Sequence, residues 1–408
     1  MSCCAASEPN CFRSWGWGSP MRVVLLTYHF LPRIGGVELA THSLALALWK
    51  AGVELTVVAP QRTPHLPVPY RIVPLRRIRG LPRWGAAWWT LWQLWRRERF
   101  QVLHAQMLYP AGADAAAFAR WIGVPLVLSA QGADILTYEP LRYGLRLKRS
   151  NARRIARALR RAGALTYHSV EMARELAREA APHTPMLLFL PNGTWTEHFR
   201  GYDRQQLRRD YGLQPTELVF ITVARNSPIK GIDILLQAAR RLAERIPHGW
   251  RLWVMGRGME RLRAELPDVP VELLGEMPTE STPEGMPLHP PTEMVRRLLA
   301  ADVFVAPALS GGFELACAEA AAAGLPIILA RTNGASDMVR LYGAGVVVPP
   351  ADPEALAQAM AHMYECPERR LQQRQCALKM AQVLDWNVLA RRCCRIYQRL
   401  VERAGKQR

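Results

Sequence analysis

The sequence predicts an α/β protein with two doubly wound Rossmann-like domains that face each other across a central cleft. The 408 residues are 50% hydrophobic and 21% charged, which is typical of a folded protein. This length allows about two to three domains of roughly 150 residues. Apolar strand patterns alternate with helical patterns, as in parallel sheets covered on both faces. The alternation starts again after residue 200.

The first half contains six predicted strands, each a short apolar run that ends at a loop or a helical pattern. They lie at residues 22–28, 53–60, 101–106, 124–130, 164–169 and 186–193. Residues 141–162 have the pattern of a basic helix. We expect residues 21–195 to form the N-terminal domain. Because a strand begins directly after Met21, we expect residues 1–20 to be disordered or a spurious extension.

The second half repeats the pattern with six more predicted strands and a helix at 233–246. The strands lie at residues 218–224, 251–256, 271–275, 302–307, 326–330 and 345–350. We expect a linker at 196–215 and a C-terminal domain over residues 200–385. The proline-rich stretch at 280–293 predicts an exposed loop.

Composition argues against several protein classes. No stretch of 18 uncharged apolar residues is present, so a membrane-spanning helix is not expected. Residues 1–20 contain no apolar run of signal-peptide length. The eight cysteines form no C-x-x-C pair, so neither a disulfide framework nor a metal site is predicted. We therefore expect a cytoplasmic protein.

Positive charge is concentrated in the first half of the chain. The formal net charge is +19. Residues 21–195 have 24 basic and 9 acidic side chains, whereas residues 196–408 have 28 and 24. This asymmetry favours an anionic partner for the first half, such as a membrane, a nucleic acid or a phosphorylated ligand.

The first candidate motif is PRIGGVE (32–38), which follows the first predicted strand. Gly35 and Gly36 allow the backbone to approach a ligand, and the N-terminus of the following helix favours a phosphate. A tight turn without a ligand would also explain the two glycines. The motif lacks the G-x-G-x-x-G pattern, and the second strand ends in Pro60 rather than an acidic residue. A nicotinamide dehydrogenase is therefore disfavoured.

Two further motifs follow strands of the second half. In VARNSPIKG (223–231), Arg225 and Lys230 could bind a diphosphate and stabilise its charge, or they could be solvated surface cations. In SGGFELACAEAAAAGLP (310–326), the N-terminus of the predicted helix suits a phosphate. Glu319 lies in an alanine-rich run of that helix. It would accept hydrogen bonds from ribose hydroxyls if it is buried, or lie on a solvated face.

Six segments in this order resemble the family 4 retaining glycosyltransferases of GT-B fold, and the resemblance extends from Met21 to about Leu400. The segments are MRVVLLTYHFLPRIGGVELATHSLALAL (21–48), LHAQMLYPAG (103–112), LPNG (190–193), ARNSPIKG (224–231), FELACAEAAAAGLPII (313–328) and DWNVLARRCCRIYQRL (385–400). The last segment is similar to the family's closing helix, so the resemblance implies that residues 386–408 pack back on the N-terminal domain.

The resemblance also implies roles for individual residues. Arg225 and Lys230 would be the catalytic clamp on the nucleotide diphosphate, and Glu319 would hold the ribose. The implied donor-binding residues are Gly35, Gly36, Gln131, Gly275, Glu276, Met277, Gly312, Phe313, Glu314, Leu315 and Glu319, with residues 275–277 against the base. The reaction implied is sugar transfer with retention, without a protein nucleophile, a metal or a cofactor beyond the nucleotide-sugar co-substrate.

The chain departs from the family pattern at two positions. The family has two glutamates separated by seven residues, and the first of them falls on Gly311. Glu314 lies about 140° around the helix from Glu319, so it is not a simple substitute. The family histidine that contacts the donor sugar is replaced by Gln131, which forms hydrogen bonds but does not titrate.

A tryptophan-rich segment at residues 84–95, WGAAWWTLWQLW, contains five of the 13 tryptophans and is flanked by arginines. Such a cluster is typical of the interface of an anionic membrane. The alternative is that the rings fill the space between helix and sheet. The basic run at 141–161 would serve the same surface. The residues expected to contact the membrane are Arg76, Arg77, Arg79, Trp88, Trp89, Trp92, Trp95, Arg96 and Arg97.

The leading hypothesis is a glycosyltransferase that works at the cytoplasmic face of the cell membrane on a lipid-linked, glycan or other envelope acceptor. The alternative is a degenerate GT-B protein that binds nucleotide or membrane without turnover. A sugar-nucleotide epimerase on the same fold lacks a supporting acid–base set. No recognition motif accompanies the charge, so no nucleic acid is expected as a partner.

Overall fold

The computed structural model describes residues 20–60, 66–75, 78–265, 269–283 and 285–406. These residues form two parallel sheets and a two-stranded antiparallel ribbon. Hydrophobic clusters cover both faces of each sheet. The prediction of two doubly wound domains is therefore confirmed. The expected membrane contacts Arg76 and Arg77, and residues 1–19 of the predicted N-terminal extension, lie outside the described residues.

Seven parallel strands form the N-terminal sheet: β1 (Arg22–Leu26), β2 (Glu54–Pro60), β3 (Arg71–Leu75), β4 (Val102–Gln106), β5 (Leu126–Ser129), β6 (Ala164–Tyr167) and β7 (Met186–Phe189). Their order is β3-β2-β1-β4-β5-β6-β7. Sequence analysis missed β3, because Pro74 interrupts its apolar pattern. A proline is tolerated there because β3 is an edge strand.

The helices of the N-terminal domain are α1 (Gly36–Lys50), α2 (Arg83–Glu98), α3 (Ala113–Ile122), α4 (Arg149–Leu159) and α5 (Val170–Ala180). The basic helix predicted from residue 141 begins only at Arg149. Residues 139–141 and 145–147 form short 3-10 turns instead. Arg146 fixes this segment to α5 through an ion pair with Glu175 at 2.8 Å.

Six parallel strands form the C-terminal sheet: β8 (Leu218–Val223), β9 (Trp250–Met255), β10 (Val271–Gly275), β13 (Val303–Ala306), β14 (Ile327–Ala330) and β15 (Gly345–Val348). Their order is β10-β9-β8-β13-β14-β15. The antiparallel ribbon pairs β11 (Glu280–Ser281) with β12 (Pro287–Leu288). The stretch predicted as a loop therefore contains a short ribbon.

The second half contains the helices α6 (Arg204–Asp210), α7 (Ile232–Arg245), α8 (Thr292–Ala300), α9 (Leu315–Ala322), α10 (Ser336–Tyr342), α11 (Pro353–Glu365), α12 (Pro367–Val383) and α13 (Trp386–Lys406). The predicted linker contains α6, which belongs to the C-terminal domain. Arg204 and Arg208 of α6 form ion pairs with Asp302 at 2.5 and 2.9 Å. No helix within the described ranges is both long and apolar enough to cross a membrane.

Helix α13 returns to the N-terminal domain and packs against α1. Buried residues of α13, including Leu389 and Tyr397, share one core cluster with β1 and β2. The Tyr397 hydroxyl lies 2.6 Å from His104 Nδ1, and His104 Nε2 lies 2.7 Å from Ser129 Oγ. This buried network joins the end of the chain to β4 and β5.

Three buried histidines hold no charge in the folded protein at neutral pH. Burial lowers the pKa of His104 to about 3 and that of His168 to about 4. Burial and the nearby His289 lower the pKa of His42 to about 4. All three side chains are less than 5% exposed.

We expect the free energy of unfolding to decrease as the pH falls from 7 to 5. The unfolded chain takes up a proton at each of these histidines near pH 6.5, whereas the folded protein does so only near pH 3 to 4. Their stabilising contribution is complete at neutral pH and is lost below about pH 6.5, at up to about 1.4 kcal/mol per pH unit for each histidine. Urea denaturation at both pH values measures this change.

The variant His104→Gln is the matched control. Because Gln does not titrate, the variant lacks the contribution of one histidine. Its free energy of unfolding should therefore decrease less between pH 7 and 5. Equal or greater stability of the unsubstituted protein at pH 5 would contradict the prediction.

Candidate active site

The carboxyl ends of the two sheets face a shared cavity of about 510 Å³. Segments that follow β1, β4 and β5 line one side, and segments that follow β8, β9 and β10 line the other. Both domains therefore contribute to one site, as expected for facing doubly wound domains. The predicted site residues that line it are Gly35, Gly36, Gln131, Arg225, Lys230, Glu276, Met277, Gly312, Phe313, Glu314, Leu315 and Glu319.

Gly275 is the one predicted donor-binding residue that does not line the cavity. It ends β10 with a φ of +69°, and its carbonyl accepts a hydrogen bond from Gly256 N at 2.7 Å. Its role is to turn the chain so that Glu276 and Met277 reach the cavity.

The two domains meet where the loop after β5 contacts the loop before α9. A Cβ atom on Gly312 would lie 2.5 Å from the Gln131 carbonyl oxygen, and one on Gly132 would lie 2.6 Å from Gly312 N. Both distances are too short for a side chain, so each position requires glycine. Gly132 also has a φ of +116°. The close approach of the two backbones therefore depends on both glycines.

Two side chains of the N-terminal domain form hydrogen bonds with the peptide groups of Phe313. The Phe313 N–H donates to His168 Nδ1 at 3.3 Å, and Asn192 Nδ2 donates to the Phe313 carbonyl at 2.7 Å. Because burial lowers the pKa of His168 to about 4, its Nδ1 remains free to accept at neutral pH. Sequence analysis missed both contacts, since they join residues more than 120 positions apart.

Asp134 holds the loop that carries Gln131. Its carboxylate accepts the N–H groups of Leu108 at 2.7 Å, Gln131 at 2.9 Å and Gly132 at 3.0 Å. Burial raises the pKa of Asp134, while these hydrogen bonds act in the opposite direction. Sequence analysis missed this residue, although an aspartate so close to a buried strand was an available signal.

Gln131 lines the cavity and has an unused acceptor atom. Its Nε2 donates to Gln106 Oε1 at 2.7 Å. Its buried Oε1 has no hydrogen-bond partner among the described residues. The side chain therefore has the capacity to accept one further hydrogen bond, for example from a ligand hydroxyl.

Arg225 and Lys230 lie on the same side of the cavity, after β8. Arg225 is exposed, whereas Lys230 is half-buried at the end of a 3-10 turn, 228–230. Lys230 Nζ forms an ion pair with the Glu314 carboxylate. The other carboxylate oxygen of Glu314 accepts from Asn333 Nδ2 at 2.7 Å. The prediction of two cations beside the cleft agrees with these positions, but it did not include the pairing.

Glu319 is 1% exposed, so the interpretation of a glutamate on a solvated helix face is wrong. Oε1 lies 3.0 Å from His289 Nε2, and Oε2 has no hydrogen-bond partner among the described residues. A buried carboxylate oxygen without a donor is costly unless a ligand supplies one. Sequence analysis missed His289, which lies in the stretch predicted as a loop.

The N-terminus of α9 opens on the same cavity. The helix begins at Leu315, and its N-cap residue Glu314 makes no side-chain capping hydrogen bond. The first N–H groups of an α-helix have no partner within the helix, and the helix dipole favours an anion there. This end of α9 and the two cations can therefore act on one anionic group.

The opposite wall of the cavity contains a charged cluster at the start of α1. Glu38 is 5% exposed and lies 3.6 Å from His29 Nδ1 and 3.4 Å from Arg33 Nε. Burial alone would raise the pKa of Glu38, but His29, a backbone N–H and Arg33 together lower it. In the motif PRIGGVE only the two glycines were predicted to contact a ligand, and the carboxylate of Glu38 was not predicted.

The tryptophan-rich segment forms α2, and its rings differ in exposure. Trp88, Trp92 and Trp95 are half-buried against the core beneath the helix. These three rings pack against the core, as the space-filling alternative expects, and their contact with a membrane stays a prediction. Trp89 is 48% exposed, as expected. The predicted contacts Arg79, Arg96 and Arg97 are exposed.

Two exposed tryptophans were not among the expected contacts. Trp84 at the start of α2 is 54% exposed, and Trp121 at the end of α3 is 61% exposed. Both pack against Trp88, with ring centroids 6.1 Å away. Trp84, Trp89 and Trp121 are called the exposed tryptophan face below.

Two family models match the chain. The model described as Glycosyltransferase Family 4 matches residues 34–193, and the model described as Glycosyl transferases group 1 matches residues 217–366. Together they cover most of both domains, including most of the segments that line the cavity.

Curated relatives include several D-inositol 3-phosphate glycosyltransferases. The protein of Acidothermus cellulolyticus is 25% identical over 95% of both chains. That of Nocardia farcinica is 31% identical over 44% of this chain and 40% of its own length. The chain thus matches less than half the length of that relative.

Solved structures share the fold at low sequence identity. Sucrose-phosphate synthase from Thermosynechococcus elongatus has a TM-score of 0.76 at 18% identity, with 94% of this chain and 100% of that one covered. Anabaena Alr3699/HepE in complex with UDP and glucose has a TM-score of 0.69 at 18% identity, with 95% and 100% covered. The fold, both family models and the full-length relative agree, and the chain belongs to the family 4 glycosyltransferases of GT-B fold.

Proposed function

We propose that this protein is a retaining glycosyltransferase that transfers a sugar from a nucleotide-diphosphate sugar. One arrangement carries the proposal: Arg225, Lys230 and the open N-terminus of α9 line the same cavity as Glu319, whose Oε2 has no hydrogen-bond partner among the described residues. Two cations and a helix N-terminus suit a diphosphate, and a free carboxylate oxygen suits a ribose hydroxyl. The UDP bound in Anabaena Alr3699/HepE supports this donor class.

In the proposed reaction the chain acts mainly by position and charge. Arg225, Lys230 and the α9 N–H groups stabilise the charge that develops on the diphosphate as the sugar leaves. The departing diphosphate helps to remove the proton of the acceptor hydroxyl on the same face of the sugar. The configuration at the anomeric carbon is thereby retained.

The acceptor would enter from the wall formed by the N-terminal domain. His29, Arg33 and Glu38 line that wall and offer both a cation and hydrogen-bonding groups. The names of the relatives make a phosphorylated polyol the first acceptor to test. Lipid-linked and glycan acceptors, proposed from the basic first half, form the second group.

The direct test is a panel of nucleoside diphosphates and their sugars in a thermal-shift experiment, followed by a diphosphate-release assay with the acceptors. Release that depends on both donor and acceptor supports the proposal. Binding of a nucleoside diphosphate without release in any combination favours the alternative of a degenerate GT-B protein, which Gly311 and Gln131 motivate. Absence of any nucleotide binding would contradict both.

Removal of either cation should abolish most sugar transfer. We expect Arg225→Ala and Lys230→Ala each to lower kcat/KM by about 100-fold or more, because each loses a charge that stabilises the leaving diphosphate. A steady-state assay of nucleoside diphosphate release measures the effect. Arg209→Ala and Lys379→Ala, which remove exposed cations from α6 and α12, are the controls. Turnover within a few fold of the unsubstituted protein for both cavity variants would refute the assigned roles.

Removal of the Glu319 carboxylate should weaken nucleotide binding rather than alter the sugar preference. We expect Glu319→Ala to weaken the affinity for the nucleoside diphosphate by about 10- to 100-fold, since a hydrogen bond to a charged group contributes about 1.5–3 kcal/mol. Glu319→Gln keeps the shape and tests the charge alone. Calorimetry that shows unchanged affinity in both variants would contradict the role.

Activity should not require a divalent metal. The two cations and the helix N-terminus already oppose the diphosphate charge, which is the role that a metal would otherwise serve. Full activity in EDTA is therefore part of the proposal, and complete loss would overturn that part.

We further propose that the protein works at the inner face of the cell membrane, where the first domain binds anionic lipid. The helices α2, α3 and α4 pack side by side, so the exposed tryptophan face lies beside the arginines of α3 and α4. Burial and the neighbouring charges of Arg120 and Arg157 lower the pKa of Arg161. An anionic lipid surface stabilises a cluster of basic side chains of this kind, by about 1 kcal/mol for each residue.

Anionic liposomes should bind the protein at low salt and retain part of it at high salt. Charge is screened by salt, whereas the apolar area of inserted rings is not. The triple variant Trp84→Ala/Trp89→Ala/Trp121→Ala should therefore be released completely at high salt, and the control Trp49→Ala, a 38% exposed ring on α1, should not. Sedimentation with neutral and anionic vesicles measures this. If anionic vesicles do not bind the protein at low salt, the membrane proposal fails.

A further inference from the structure

The ion pair between Lys230 and Glu314 stands where the proposed donor diphosphate would bind. Both side chains line the cavity, and both are largely shielded from solvent, with 22% and 13% of their side-chain surface exposed. Lys230 is one of the two cations expected to hold the diphosphate. In this structure its charge is paired with the Glu314 carboxylate.

The Glu314 carboxylate is held in this position by Asn333. The Asn333 side chain is 1% exposed, and its Oδ1 accepts the N–H of Ala335 at 2.9 Å. Its Nδ2 is thereby directed at Glu314, to which it donates at 2.7 Å. One carboxylate oxygen of Glu314 thus pairs with Lys230, and the other is fixed by a buried amide.

Glu314 differs in this respect from the other carboxylates of the cavity. The described residues that line it include four glutamates and four Lys or Arg residues. Glu38 contacts His29 and Arg33, and Glu319 contacts His289. Only Glu314 among these four pairs with a cation that is predicted to bind the diphosphate.

We propose that Glu314 competes with the diphosphate of the donor for Lys230, an inference that rests on the proposed function. Binding of the donor breaks the ion pair and transfers Lys230 to a phosphate oxygen, while Glu314 remains on Asn333. After sugar transfer, Glu314 recovers Lys230 and so promotes release of the nucleoside diphosphate product. Glu314 is thus a determinant of donor affinity and product release.

The physical basis is the exchange of one charge partner for another. A lysine that already has a carboxylate partner loses that interaction when it turns to a phosphate, so part of the attraction is offset. The carboxylate left behind also repels the diphosphate at short range. Neutralisation of Glu314 removes both effects and leaves Lys230 free for the ligand.

The test is calorimetry with UDP, ADP and GDP on the whole protein. We expect Glu314→Gln, which keeps the side-chain volume and the hydrogen bond to Asn333, to bind the preferred nucleoside diphosphate roughly tenfold more tightly. Product inhibition in the transfer assay should become stronger by a similar factor. The control Asp233→Asn removes a negative charge from the exposed first turn of α7, outside the cavity lining and without freeing Lys230, and it should change the affinity much less.

A second background separates competition from simple repulsion. In Lys230→Met, the replacement Glu314→Gln should give a clearly smaller gain, because only the repulsion remains to be relieved. An equal gain with and without Lys230, or no gain in the presence of Lys230, would overturn the inference while the proposed function stands. Failure of the unsubstituted protein and of every variant to bind any nucleoside diphosphate would instead overturn the proposed function, and this inference with it.

Discussion

The site depends on the close contact between the loop after β5 and the loop before α9. Gly132 and Gly312 bring two backbones together at distances that exclude any side chain. His168 and Asn192 then hold the peptide groups of Phe313 from the N-terminal domain. Because Phe313 lies two residues before α9, this contact also determines where the N-terminus of that helix points. The N-terminus of α9, a helix of the C-terminal domain, is therefore positioned by residues of the N-terminal domain.

The electrostatics of the cavity follow from the same arrangement. Its cations and carboxylates are equal in number among the described lining residues, so the cavity is not a simple positive pocket. Local pairs determine which charges are available: Lys230 is paired with Glu314, while Arg225 is exposed. Donor binding in such a site is an exchange of partners rather than the filling of an empty positive cleft. This exchange provides a route to release a product that carries the same diphosphate as the substrate.

The fold was predicted from local apolar patterns, and about a third of the residues that line the cavity were predicted from the three motifs and the family resemblance. The apolar runs gave the strands, and the glutamate in an alanine-rich helix gave Glu319. Sequence analysis did not predict contacts between distant segments, such as His289 with Glu319 or Asn333 with Glu314, since no local pattern encodes them. The sequence pattern also did not show which side of α2 faces the core. Its tryptophans occur on several sides of the helix. Trp88 is covered by Phe118 and Trp121, and Trp92 and Trp95 pack against the core beneath the helix.

The decisive measurement is a crystal structure of the protein with a bound nucleoside diphosphate. We expect the diphosphate between Arg225, Lys230 and the N-terminus of α9, with a ribose hydroxyl on Glu319 Oε2. Lys230 should have left Glu314 for a phosphate oxygen. A nucleotide bound outside this cavity, or one whose ribose lies away from Glu319, would contradict the account.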